Sequence, residues 1–112
     1  MTNISGNGIS AYTASTQTME NIHVTNNFIH STNGAGIFFR DINKGYIANN
    51  TIFTNVSRES QLTGILGYFI PETVIKNNSV TSAVGIEVGG FANSVLPIII
   101  EENNLTVNDY GI

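Results

Sequence analysis

Two short marks alternate along the whole chain, and no other feature restricts the possible folds so tightly. The first is a Gly-Ile pair, at Gly8-Ile9, Gly36-Ile37, Gly64-Ile65, Gly85-Ile86 and Gly111-Ile112. The second places two apolar residues around an Asn pair: Val24-Thr-Asn-Asn-Phe-Ile29, Ile47-Ala-Asn-Asn-Thr-Ile52, Ile75-Lys-Asn-Asn-Ser-Val80 and Ile100-Glu-Glu-Asn-Asn-Leu105. From Gly8 to Gly111 the chain advances about 26 residues per step, a period that belongs to solenoids. The fourth copy aligns by its apolar residues and not by its Asn pair. A one-residue slip would turn every inward side chain outward, so Glu102 and Asn103 take the two bend positions.

Each mark has a physical reading. After each Gly the apolar residues alternate, so Ile9/Ala11, Ile37/Phe39, Ile65/Gly67 and Ile86/Val88 point inward from one strand. The Gly itself permits a tight corner. The Asn pair reads as a bend between two further strands. Its second member (Asn27, Asn50, Asn78, Asn103) is expected to take a left-handed φ, which Asn tolerates. Its first member (Asn26, Asn49, Asn77, Glu102) is then expected to face inward and form a hydrogen-bonded ladder from coil to coil.

Composition agrees with many short strands and many sharp turns. The 112 residues include 16 Asn, 16 Ile and 11 Gly, while charged residues make up only 11%, against about 25% in an ordinary soluble domain. One domain over residues 1–112 is expected. With a net charge of −4 and four cations (Arg40, Lys44, Arg58, Lys76), the chain has no footprint for a phosphate backbone. Cysteine is absent, which removes disulfides and thiolate metal sites. The longest apolar run, 95–100, contains Pro97 and is far too short to span a bilayer. Met1 precedes a polar segment without an apolar h-region, so no signal peptide is expected here.

Taken together, the marks make the chain similar to the right-handed parallel β-helix repeats of the pectin lyase-like superfamily, over about Ile4 to Ile112. The resemblance implies an all-β solenoid of about four coils. The Gly-Ile segments would form its first sheet, and the Asn bend would join its second and third. Extra residues are expected around Thr13–Asn21, Asn55–Thr63 and Gly90–Leu96, where loops commonly carry specificity.

Enzymes of that superfamily place carboxylates and basic residues on the outer face of the first sheet. The matching region here holds Asp41, Glu59, Glu87, Arg40 and Arg58, in none of the family's catalytic patterns. Glu101 and Glu102 are adjacent on a strand and face opposite ways, so they make no catalytic pair. His23 and His30 lack a third ligand, and no metal or cofactor is expected. The more suggestive set is the outward strip Tyr12, Phe38, Arg40 and Tyr68, with Leu66 beside it. It suits sugar rings, a neighbouring protein, or a loop of the chain itself. Among five Asn-x-Ser/Thr sequons, Asn55 is the best glycosylation candidate, because Asn49 and Asn77 are expected to face inward.

Two functions follow as expectations. The first is a non-catalytic structural protein of a cell surface or extracellular filament. It would stack head to tail on copies of itself through strand edges without evident caps. The second is a polysaccharide-binding or polysaccharide-cleaving module, such as part of an adhesin, phage spike or lyase, using the aromatic strip.

Overall fold

The computed structural model describes residues 6–13, 17–54, 62–90 and 97–107, and it contains strands without helices among them. The first coil supplies β1 (Ile9–Tyr12), β2 (Met19–Glu20), β3 (His23–Thr25) and β4 (Phe28–Thr32). The second supplies β5 (Ile37–Arg40), β6 (Ile42–Asn43), β7 (Tyr46–Ala48) and β8 (Thr51–Thr54). The third contains β9 (Thr63–Tyr68), β10 (Val74–Lys76) and β11 (Ser79–Ser82), and the fourth β12 (Val84–Gly89), β13 (Ile99–Glu101) and β14 (Asn104–Val107). Strands of successive coils pair in parallel into three sheets, β1-β5-β9-β12, β3-β7-β10-β13 and β4-β8-β11-β14. The chain is therefore a parallel β-solenoid. It completes about three turns from β1 to β12, and β13 and β14 begin a fourth.

Register follows the apolar residues. Ile9, Ile37, Ile65 and Ile86 stack in the first sheet. Val24, Ile47, Ile75 and Ile100 stack in the second, and Ile29, Ile52, Val80 and Leu105 in the third. Glu102 and Asn103 accordingly lie beneath Asn77 and Asn78, as apolar alignment requires. Val24, Ile29, Ile37, Ile47, Ile52, Ile65, Ile75 and Val80 form one buried core with Phe39, Ile42 and Ile70, and Ile9 and Ile86 pack partly buried against it. Where Gly67 leaves the first sheet thin, Ile70 fills the space: a Cβ on Gly67 would lie 2.5 Å from Ile70 Cδ1.

The ladder exists, but its members are the other Asn of each pair. Asn26, Asn49, Asn77 and Glu102 have φ of 60, 59, 55 and 56°, and their side chains are exposed. These four, expected to face inward, are the bend residues. Asn27, Asn50, Asn78 and Asn103 carry the hydrogen bonds. Nδ2 of Asn27, Asn50 and Asn78 donates to Oδ1 of the next Asn at 2.9–3.0 Å. Each of these residues also donates its backbone N–H to that same oxygen at 3.0 Å. Asn50, Asn78 and Asn103 give their second amide proton to a carbonyl of the coil before, on Val24, Ile47 and Ile75. An amide can be enclosed only when both its donors and its acceptor are met. Asn50 and Asn78 meet that condition at 1% exposure. A carboxylate in the same place would be buried without a cation, so Glu102 belongs on the bend.

Two further corners also turn through the left-handed region. Asp41, Phe69 and Gly90 follow the first sheet at φ 57, 55 and 73°, and Asn21, Lys44 and Glu72 precede the second at 57° each. None of the Gly-Ile glycines is in this region among the described residues. They serve close approach instead. A Cβ on Gly36 would lie 2.3 Å from Ile52 Cγ2, and one on Gly64 would lie 2.1 Å from Val80 Cγ1. The first sheet can thus lean directly on the third.

The short pair β2-β6 was not foreseen. It runs along the corner between the first two sheets, and its β2 member lies in the 13–21 segment expected to be an insertion. The segments expected at 55–63 and 90–96 fall largely outside the described residues.

Candidate functional site

The outer face of the first sheet is built by parallel register. Tyr12, Arg40 and Tyr68 occupy one column, with Gly89 after them, and Ser10, Phe38, Leu66 and Glu87 occupy the next. Alternation along each strand turns these side chains away from the core. Phe38 sits diagonally between the two tyrosines. Its ring is 6.2 Å from Tyr12 and 6.3 Å from Tyr68, tilted 47° and 73°. Tyr68 leans over Gly89, where a Cβ would come within 3.1 Å of the ring. The three rings form a continuous zigzag, with Tyr12 57% exposed at its end.

An open groove of about 410 Å³ adjoins the strip, bordered by Asn7, Phe38, Leu62, Thr63, Leu66 and Tyr68. All four strip residues expected from sequence are therefore on one face, and three share ring contacts. Arg40 is exposed and lies 3.6 Å from Asp41 through Nε and Oδ2. Glu87 accepts a hydrogen bond from Thr63 Oγ1 at 3.3 Å. Sequence reading did not single out Asn7, Leu62 or Thr63. Asn7 and Leu62 precede β1 and β9, Thr63 opens β9, and only the coil geometry brings the three beside the strip.

The other candidates are dispersed. His23 lies on the second sheet, 5.3 Å from the Tyr46 ring, whereas His30 is on the third, 5.4 Å from Phe53. Among the described residues, no three His, Asp or Glu converge as a metal site. Arg58, Glu59 and the sequon Asn55 lie outside the described residues. Asn49 and Asn77, expected to be inward and inaccessible, are instead exposed at the bend.

The ends of the solenoid differ. At β13 and β14, Ile99, Ile100, Leu105 and Val107 are 44–56% exposed. At β3 and β4, Val24 and Ile29 are 8% and 0% exposed. No helix among the described residues is long and apolar enough to cross a membrane. Comparison of the chain with protein-family models, curated proteins and solved structures gives no match.

Proposed function

We propose that this chain is a non-catalytic, polysaccharide-binding β-helix module of the pectin lyase-like type, working through Tyr12, Phe38, Arg40 and Tyr68. The observation that carries the reading is the ring zigzag beside an open groove. Aromatic faces stack on the C–H faces of sugar rings, and parallel strands about 4.8 Å apart repeat such contacts along a polymer. Binding is favoured over cleavage because the nearby carboxylates are already engaged, Asp41 with Arg40 and Glu87 with Thr63. Hydrolysis would call for two carboxyl groups flanking one bond. Tyr68→Ala should weaken binding about 3- to 10-fold on a glycan array and in titration, the worth of one aromatic contact. An unaltered Kd, or a wild-type array without signal, would remove this reading.

A second reading, a structural unit of a cell-surface or extracellular filament, is supported by the apolar strand edges at β13 and β14. Copies stacked end to end should appear as filaments in negative-stain micrographs at moderate protein concentration. With four strands per sheet, each copy would advance the filament about 19 Å. A monomer that persists at high concentration would eliminate self-stacking.

A further inference from the structure

We infer that Asn49 and Asn77 are acceptor sites for N-linked glycans, carried on the corner where the second sheet passes into the third. Both begin a sequon, Asn49-Asn50-Thr51 and Asn77-Asn78-Ser79, and the coil uses the two asparagines of each differently. The middle residue is the ladder amide, enclosed at 1% exposure. The first residue turns the bend at φ 59° or 55° with its side chain exposed. Among the described residues, that side chain makes no hydrogen bond. Thr51 and Ser79 open β8 and β11 and pair in register. They face outward, because Ile52 and Val80 beside them are enclosed. Coils one and four lack the combination: Phe28 stands two after Asn26, and Glu102 replaces the bend Asn.

The donor is an oligosaccharide on a lipid pyrophosphate, and the catalyst is an oligosaccharyltransferase that recognises the sequon. Nδ2 attacks the anomeric carbon of the first sugar. The C–N bond forms as the bond from that carbon to the pyrophosphate oxygen breaks, the lipid pyrophosphate leaves with the electron pair, and Nδ2 gives up one proton. The product is bulky and needs solvent around it. At the bend it displaces no core contact and no ladder bond, whereas at Asn50 or Asn78 it would break both. In a three-sided coil this corner lies opposite the first sheet, so the sugars leave Tyr12, Phe38 and Tyr68 uncovered. The inference therefore stands apart from both functional readings.

The test secretes the full chain from a eukaryotic host, which supplies donor and transferase. Peptide N-glycosidase leaves Asp at each occupied Asn, and peptide mass mapping locates it. The two bends are only about 4.8 Å apart, close enough for one glycan to crowd the other, so each is scored alone. Asn49 should be occupied in the Asn77→Gln chain, and Asn77 in the Asn49→Gln chain. Thr51→Val should empty Asn49 and Ser79→Ala should empty Asn77, although both bend residues remain in place. Enzymatic release of the sugars from the folded chain should move Tm by no more than about 4 °C, the scale of a surface change. An empty Asn49 or Asn77 in its single-site chain overturns the assignment of that residue. A glycosylated chain that folds only after its sugars are released overturns the proposal as a whole.

Discussion

Asn50→Leu is expected to cost about 3–5 kcal/mol, a large part of the 5–15 kcal/mol that holds a small domain together. The Asn50 side chain makes every bond an amide can make here. It accepts from the N–H and Nδ2 of Asn27, and donates to Val24 O and Asn78 Oδ1. Leucine fills similar volume but strands all of these groups in a site 1% exposed. Each buried polar group left without a partner costs about 1–3 kcal/mol. The neighbouring residue sets the contrast. Asn49 has φ 59° and an exposed side chain, so Asn49→Gly should be neutral or slightly stabilising, because glycine meets no steric penalty there. Urea denaturation of the two variants distinguishes the ladder residue from the bend residue. Equal stability of both would refute the ladder assignment.

Gly64→Ala should destabilise by about 3 kcal/mol, the upper end of the range for overpacking a core, which corresponds to a fall in Tm of about 10–20 °C. The added Cβ would lie 2.1 Å from Val80 Cγ1 and 2.9 Å from Gly85 O. Val80 is enclosed and stiff about χ1, and the second obstacle is backbone in the adjacent strand. Gly64→Ala with Val80→Ala should therefore recover only part of the loss, since the carbonyl contact remains. A calorimetric double-mutant cycle measures that coupling. Full tolerance of alanine at Gly64 would show that the first and third sheets do not need this close approach.

The Asn pairs illustrate both what was legible and why one step was misread. Adjacent asparagines have the same tolerance for left-handed backbone, so propensity alone does not say which one bends. The deciding signal was in the fourth copy. There the second position remains Asn and the first becomes Glu102. An amide can bridge two coils in an enclosed column, whereas a carboxylate there would face the next amide oxygen without a cation. Desolvation cost thus assigns Glu102 to solvent and Asn103 to the ladder, reversing the expectation for Asn26, Asn49 and Asn77. The Gly-Ile glycines were misread for a related reason: a missing side chain serves either an unusual φ or a close neighbour. The corners themselves are turned by Asn21, Asp41, Lys44, Phe69, Glu72 and Gly90, of which Lys44, Phe69 and Glu72 are not residue types that announce a left-handed bend.

By itself the sequence determined the solenoid, its register and the outward strip. Two marks that recur about every 26 residues, each with its apolar residues in the same phase, place like residues over like. The coincidence of Tyr12, Arg40 and Tyr68 in one column follows from that register without further information. Tertiary structure alone decided what lies across the section of the coil. It set Ile52 and Val80 against Gly36 and Gly64, brought Ile70 under Gly67, and gathered Asn7, Leu62 and Thr63 beside the aromatic strip. Apart from Gly67 and Ile70, which are near neighbours in the chain, those contacts join distant residues whose meeting depends on how three sheets of unequal side-chain volume close around one core, and no local pattern encodes that closure.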